Sequence, residues 1–175
     1  MRYAAFLRGV NVGKNHRVSS ADLKSLFEAV GAEDVATFRT SGNVVFEAPK
    51  DMARAIEKQL EESLGYGVAV FLRTATELKA IVAEQPFQAK DVNAAKGKLQ
   101  VSMLDSKPSA ATKKKVLALA TDQDRLAFGK RELYWLPSDG TLDSELDRKA
   151  LDELLGASTM RTKGTVEQLA AKFFG

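Results

Sequence analysis

Residues 7–17 are Leu7-Arg8-Gly9-Val10-Asn11-Val12-Gly13-Lys14-Asn15-His16-Arg17, the end of an apolar segment followed by a loop of glycines, amides and cations. The mainly apolar stretch from Arg2 to Arg8 predicts a first β-strand. After the loop, Ser19 or Ser20 can cap a helix whose apolar residues recur at helical spacing as far as Gly31. A strand, a loop rich in hydrogen-bond donors and a helix start therefore follow one another.

The rest of the N-terminal half extends this pattern. A β-branched and aromatic stretch, residues 35–40, predicts a second strand, and Ser41-Gly42-Asn43 predicts a tight turn into a third strand at 44–46. Apolar spacing then predicts a helix over residues 52–64, and the apolar run at 68–72 predicts a fourth strand. The order β-α-β-β-α-β is that of the ferredoxin-like unit. The strands are apolar on both faces, so we expect both faces of this sheet to be covered.

The C-terminal half repeats most of that order after a polar segment, residues 88–97, which predicts a linker. The predicted elements are a strand at 98–104, a helix from 108, a hairpin over 125–136, a helix over 146–155 and a last helix over 166–173. No final strand is evident, and the two halves show no repeat of sequence. The predicted fold is α+β, with two ferredoxin-like (β-α-β-β-α) halves at residues 1–85 and 97–175 and a C-terminal helix.

Composition limits the classes of function. The chain has 175 residues, 45% of them hydrophobic, a net charge of +3, one histidine and no cysteine. Disulfides and thiolate metal sites are therefore excluded, and a cytoplasmic location fits. His16 has no nearby acid or second histidine, so we predict no metal and no cofactor. No apolar run approaches the roughly 20 residues that cross a bilayer, so we expect no membrane partner.

Topology predicts where a binding site would form. In the predicted sheet the first and second strands run parallel with the third between them, so the first loop and the second-to-third-strand turn lie at the same edge. The residues that we expect to bind a ligand there are Arg8, Asn11, Gly13, Lys14, Asn15, Arg17, Arg39, Ser41, Gly42 and Asn43. Hydrogen-bond donors dominate this set and carboxylates are absent, which suits a phosphate, a carboxylate or a polar base edge.

Arg161 is a further candidate in the second half. It precedes the last predicted helix, where the helix dipole disfavours a positive charge. It is either a surface or salt-bridged arginine, or a group that faces an anion together with the loop of Lys14.

Two motifs, Leu7-Arg8-Gly9-Val10-Asn11-Val12-Gly13 and Thr40-Ser41-Gly42-Asn43-Val44-Val45-Phe46, resemble the DUF1697 family of uncharacterised bacterial proteins. The likeness extends to Thr159-Met160-Arg161 and Thr165-Val166, although Thr162 stands where the family has an asparagine. The resemblance implies an α+β fold of two ferredoxin-like halves, and it implies no activity.

Three functions remain open at this stage. The donor-rich loop and turn favour a small anionic or phosphorylated ligand, bound with or without catalysis. Nucleic-acid binding is the alternative, although the third strand, residues 42–46, lacks the aromatic pattern of an RNA-recognition module. The third is a scaffold or interaction protein without a ligand.

Overall fold

The computed structural model describes residues 1–11 and 17–175. Three predicted site residues, Gly13, Lys14 and Asn15, lie outside this part of the chain. The described residues form two compact units, one of residues 1–79 with 172–175 and the other of residues 80–171. The division predicted at 1–85 and 97–175 stays a prediction.

The first unit carries a four-stranded antiparallel sheet. Its elements are β1 (Arg2–Arg8), α1 (Ser20–Ala29), β2 (Glu33–Thr37), β3 (Asn43–Glu47), α2 (Ala53–Leu64), β4 (Ala69–Thr74) and α3 (Ala75–Ala83), the last of which continues past residue 79. The strand order is β2-β3-β1-β4, and every neighbouring pair is antiparallel. This is the ferredoxin-like order predicted from the sequence, and it puts β1 and β2 parallel on either side of β3.

The second unit repeats this architecture. Its elements are α4 (Ala89–Ala94), β5 (Gln100–Leu104), α5 (Ala110–Leu117), β6 (Asp124–Phe128), β7 (Glu132–Pro137), α6 (Arg148–Leu155), β8 (Ser158–Thr162) and α7 (Lys163–Phe173), the last two residues of which belong to the first unit. The strand order β6-β7-β5-β8 matches that of the first sheet, element for element. The predicted α+β fold of two ferredoxin-like halves with a C-terminal helix is confirmed.

Three details of the prediction are wrong. The segment predicted as a linker contains the short helix α4, which buries none of its residues and so has no apolar periodicity to reveal it. The second half does have a final strand, β8, whose buried side chains Thr159 and Arg161 are polar. The second strand ends at Thr37 and not at residue 40, because the chain turns directly after it: the side chain of Asn43 bonds back to Phe38, and Arg39 has a left-handed backbone.

Both faces of the first sheet are buried, as its apolar strands predict. On one face, Phe46 stacks on Tyr3 with ring centroids 5.6 Å apart and meets the edge of Phe27 at 5.4 Å. On the other face, Ala4 and Phe6 are completely buried. The first face forms the apolar core against which α1 and α2 pack.

Candidate functional site

The loop after β1 and the turn between β2 and β3 are in direct contact. The side-chain amide of Asn11 donates to the carbonyl of Thr40 at 2.6 Å, and the backbone N–H of Leu7 donates to the carbonyl of Gly42 at 2.8 Å. Gly42 has a φ of +81°, and a Cβ there would lie 2.7 Å from Cγ2 of Val10. The turn therefore requires glycine at this position so that the two segments can approach.

Asn11 links the described residues on either side of the loop. Its backbone has a φ of 54°, a left-handed conformation that asparagine tolerates well. Its side-chain oxygen accepts a hydrogen bond from the backbone N–H of Val18 at 2.9 Å while its NH₂ group reaches Thr40. Asn11 thus joins both ends of its own loop to the neighbouring turn, which makes it a positioning residue.

Asn43 performs the same task for the turn. It is fully buried, and its side-chain NH₂ donates to the carbonyl of Phe38 at 2.9 Å and to the hydroxyl of Ser41 at 3.0 Å. Its own carbonyl accepts from the backbone N–H of Phe38 at 2.9 Å. These bonds close the turn around Arg39 and hold residues 38–43 in one conformation.

A cleft of about 360 Å³ opens between the loop, the turn and the beginning of α1. The residues that line it are Asn11, Arg17, Val18, Ser19, Ser20, Leu23, Thr37, Arg39, Thr40 and Gly42. Val18 and Leu23 are buried and form an apolar floor, whereas the arginine, serine and Thr40 side chains are exposed. None of these lining residues carries a carboxylate, and the volume lies within the roughly 300–1,000 Å³ usual for small-molecule sites.

The beginning of α1 adds to the positive potential of this cleft. Ser19 is the N-cap, and its hydroxyl accepts a hydrogen bond from the backbone N–H of Asp22 at 3.0 Å. Backbone N–H groups of the first helical turn give a helix start a partial positive charge. Asp22 lies in the first turn but is not among the residues that line the cleft.

Arg39 has an unfavourable backbone conformation. Its φ is 60°, in the left-handed region, where a long side chain gains none of the local hydrogen bonding that stabilises asparagine. Such strain costs about 1–3 kcal/mol and is concentrated at functional sites. Its guanidinium carbon lies 5.4 Å from the ring centroid of Phe38.

The structure thus brings Asn11, Arg17, Arg39 and Gly42 together, with Ser41 and Asn43 completing the turn. Arg8 ends β1 as an exposed residue and does not line the cleft. Sequence reasoning missed Val18, Leu23, Thr37 and Thr40 as lining residues and treated Ser19 and Ser20 only as helix caps. The polar residues Arg17, Ser19 and Ser20 are the available signal, since they continue the donor-rich loop into the helix.

Arg161 has different surroundings. It lies on β8 in the second unit, is only 8% exposed, and donates through Nη1 to the hydroxyl of Thr159 and the carbonyl of Met160, both at 2.8 Å. Burial lowers the pKa of Arg161 to about 10. These bonds belong to its own strand, which favours the structural explanation of this residue.

Arg73 supports that explanation, because it occupies the equivalent position in the first sheet. Arg73 faces Ala4 across β1 and β4, as Arg161 faces Val101 across β5 and β8. Arg73 is 1% exposed, and its Nη1 donates to the carbonyl of the preceding residue at 2.8 Å. Each arginine is followed by a threonine that caps the next helix. The two halves therefore share a short Arg-Thr repeat.

We expect Arg161→Ala to lower the free energy of unfolding by about 1–3 kcal/mol, because it removes the donor for a buried hydroxyl and a partly buried carbonyl. Arg161→Met, which keeps the apolar length, should cost less. Urea denaturation followed by circular dichroism measures both. The ligand-induced rise in melting temperature should stay unchanged in either variant, and its selective loss would return Arg161 to the binding site.

The part of the chain that the structure describes holds neither a cluster of metal-binding side chains nor a membrane-spanning helix. Residues 1–11 and 17–175 contain no group of three or more histidine, cysteine, aspartate or glutamate side chains placed to hold a metal ion. Within the same ranges, no helix combines the length and apolar character needed to span a membrane.

Comparison with known proteins identifies the fold and the family. A conserved bacterial protein from Streptococcus pneumoniae has a solved structure that matches over 97% of both chains with a TM-score of 0.70 and 21% sequence identity, which shows a shared fold. No curated protein matches the sequence. A family model described as "Protein of unknown function (DUF1697)" matches residues 1–134. The chain therefore belongs to the DUF1697 family.

Proposed function

We propose that this protein binds a small anionic or phosphorylated ligand in the cleft between the β1–α1 loop and the β2–β3 turn. The observation that carries the proposal is the lining of the cleft, in which Arg17 and Arg39 stand beside the start of α1 and none of the described lining residues carries a carboxylate. An anion placed there would meet the positive charge of both guanidinium groups.

The lining groups suit a phosphate better than a halide or another spherical anion. Guanidinium groups present paired N–H donors that match two oxygens of a phosphate or carboxylate. The hydroxyls of Ser19, Ser20 and Thr40 can donate to a third oxygen. The side-chain hydrogen bonds of Asn11 and Asn43 hold the backbone of this cleft before a ligand arrives, which reduces the entropy lost on binding.

Thermal unfolding in the presence of phosphate, pyrophosphate, sugar phosphates and dicarboxylates tests the proposal. A ligand at about 100 times its Kd adds about 2.7 kcal/mol to the stability of the folded state. We expect at least one phosphorylated compound to raise the melting temperature. Arg17→Gln should weaken that compound about tenfold, because one charged hydrogen-bonding group is lost.

Arg54→Gln is the matched control, since Arg54 is an exposed arginine on α2 that pairs with Glu57 and does not line the cleft. Its variant should bind like the wild type. The proposal fails if no phosphorylated or carboxylate compound shifts the melting temperature, or if Arg17→Gln responds as strongly as the wild type.

A further inference from the structure

A cluster of two aromatic and two cationic side chains lies on the first unit, beside the cleft. Its members are Phe38, Phe173, Arg39 and Lys172. The rings of Phe38 and Phe173 meet edge to face, with centroids 6.2 Å apart and planes at 83°. Nζ of Lys172 lies 5.9 Å from the centroid of Phe38 and 5.3 Å from that of Phe173. Both rings are partly exposed to solvent.

The two rings lie outside the core that the first sheet forms with its helices. The apolar core between the first sheet and its helices α1 and α2 includes neither Phe38 nor Phe173. Phe38 follows β2 directly, and both its N–H and its carbonyl bond to Asn43 at 2.9 Å. The turn therefore fixes the backbone that carries this partly exposed aromatic ring.

Arg39 connects this cluster to the cleft. It lines the cleft, and its guanidinium carbon lies 5.4 Å from the centroid of Phe38. Because Phe38 and Arg39 are consecutive in a closed turn, a ligand held by Arg39 comes within reach of the ring. Lys172 adds a second positive charge near the same ring, with its Nζ 5.9 Å from the centroid of Phe38.

An anion site joined to a partly exposed aromatic ring matches a ligand that carries both a phosphate and a flat ring. Base rings stack on aromatic side chains regardless of base identity, since every base has a π face. Cations around the rings also attract the phosphate to which the base is linked. A sugar phosphate or an inorganic anion would leave the rings unused.

We propose that the ligand of the cleft is a nucleotide, with its phosphate between Arg17 and Arg39 and its base against Phe38 and Phe173. This inference rests on the proposed function of the same cleft. It applies equally to a free nucleotide and to one nucleotide of a single strand, because both present the same phosphate and base.

Titration calorimetry of the full chain tests this inference with four probes: inorganic phosphate, ribose 5-phosphate, AMP and a short single-stranded oligonucleotide. We expect AMP to bind about tenfold more tightly than ribose 5-phosphate, since the base adds a stacking contact. In Phe38→Leu this difference should disappear while ribose 5-phosphate keeps its affinity. Phe38→Tyr, which retains the ring, should bind AMP like the wild type.

Two further variants keep the test informative. Phe173→Leu should reduce the AMP preference even if Phe38→Leu does not fold. Phe128→Leu is the matched control, because Phe128 is a partly buried phenylalanine of the second unit with Lys113 at 5.7 Å from its ring, and its replacement should change neither ligand's affinity.

The outcomes separate the two proposals. Equal affinities for AMP and ribose 5-phosphate, both lost in Arg17→Gln, would overturn the nucleotide inference and leave the anion site standing. Binding of none of the four probes would overturn the nucleotide inference, and failure of the wider set of anions would overturn the anion site. An oligonucleotide that binds more tightly than AMP supports the inference with a single strand as the source, and one that binds no better supports it with the free nucleotide.

Discussion

Arg39→Gly is expected to weaken phosphate-ligand binding at least tenfold without lowering the stability of the free protein. The loss follows from removing a charged hydrogen-bond donor group, which is worth about 1.5–3 kcal/mol. Stability is spared because Arg39 has a φ of 60°, a conformation that glycine adopts without strain. The relief of about 1–3 kcal/mol of backbone strain offsets the lost packing on Phe38 and the greater freedom of the unfolded chain.

Asp34→Gly is the matched control for this substitution. Asp34 also has a left-handed backbone, with a φ of 48°, but it lies on β2 as an exposed partner of Arg2 and does not line the cleft. Its variant should keep stability within about 1 kcal/mol, because an exposed ion pair contributes little, and it should bind the ligand normally. Calorimetric titration and thermal unfolding of both variants give the answer.

Arg39→Asn refines the test, since asparagine also tolerates the left-handed region but has no charge. It should bind as weakly as Arg39→Gly. If Arg39→Gly binds like the wild type, the arginine is not a ligand group. If it loses both binding and stability, the side chain supports the turn and the loss of binding is secondary.

Much of the fold could be predicted because its strands and helices carry the usual periodicities. The cap at Ser19, the left-handed ends at Gly31 and Gly65, and the apolar run of β1 all appear as expected. Contact between the loop and the turn also follows from the order of elements, because β1 and β2 run parallel. In this region the local sequence pattern and the sheet topology both predict what the structure has.

Prediction failed where the residues facing inward were polar. In β8 the buried side chains are Thr159 and Arg161, so the alternation that reveals a strand is absent. The repeat that could have shown this strand consists of only Arg-Thr at residues 73–74 and 161–162, too short to stand out. The sequence predicts Arg161 in the segment before the last helix, whereas the structure places it on β8 as a buried residue of the second sheet.

The candidate site was only partly predictable for another reason. Its charged residues are visible in the sequence, but the role of each amide depends on hydrogen bonds that composition does not show. The predicted contact of Asn11 and Asn43 with a ligand stays a prediction, and the structure adds that their amides bond to the carbonyls of Thr40 and Phe38. The sequence predicts Phe38 within the second strand. The structure ends β2 at Thr37, and the left-handed backbone of Arg39, which the sequence does not reveal, belongs to the turn that follows.

Phe46→Ala should have the largest effect on stability. Phe46 is fully buried on β3, stacked on Tyr3 and in edge contact with Phe27. Truncating a buried phenylalanine typically costs about 3–5 kcal/mol, because apolar surface is lost and a cavity remains. For a chain of this length that corresponds to a fall in melting temperature of about 6–20 °C. Thermal and urea unfolding followed by circular dichroism measure the change.

Phe46→Leu and Leu142→Ala are the two control variants for this stability measurement. Leucine keeps most of the apolar volume, so Phe46→Leu should cost less than the alanine variant. Leu142 is 96% exposed, and its truncation should alter stability by no more than about 0.5 kcal/mol. β3 begins at Asn43, which closes the turn at the cleft, so destabilising this strand also destabilises the turn beside the cleft. A Phe46→Ala variant that unfolds at the wild-type temperature would show that the three aromatic rings contribute little to the core of the first unit.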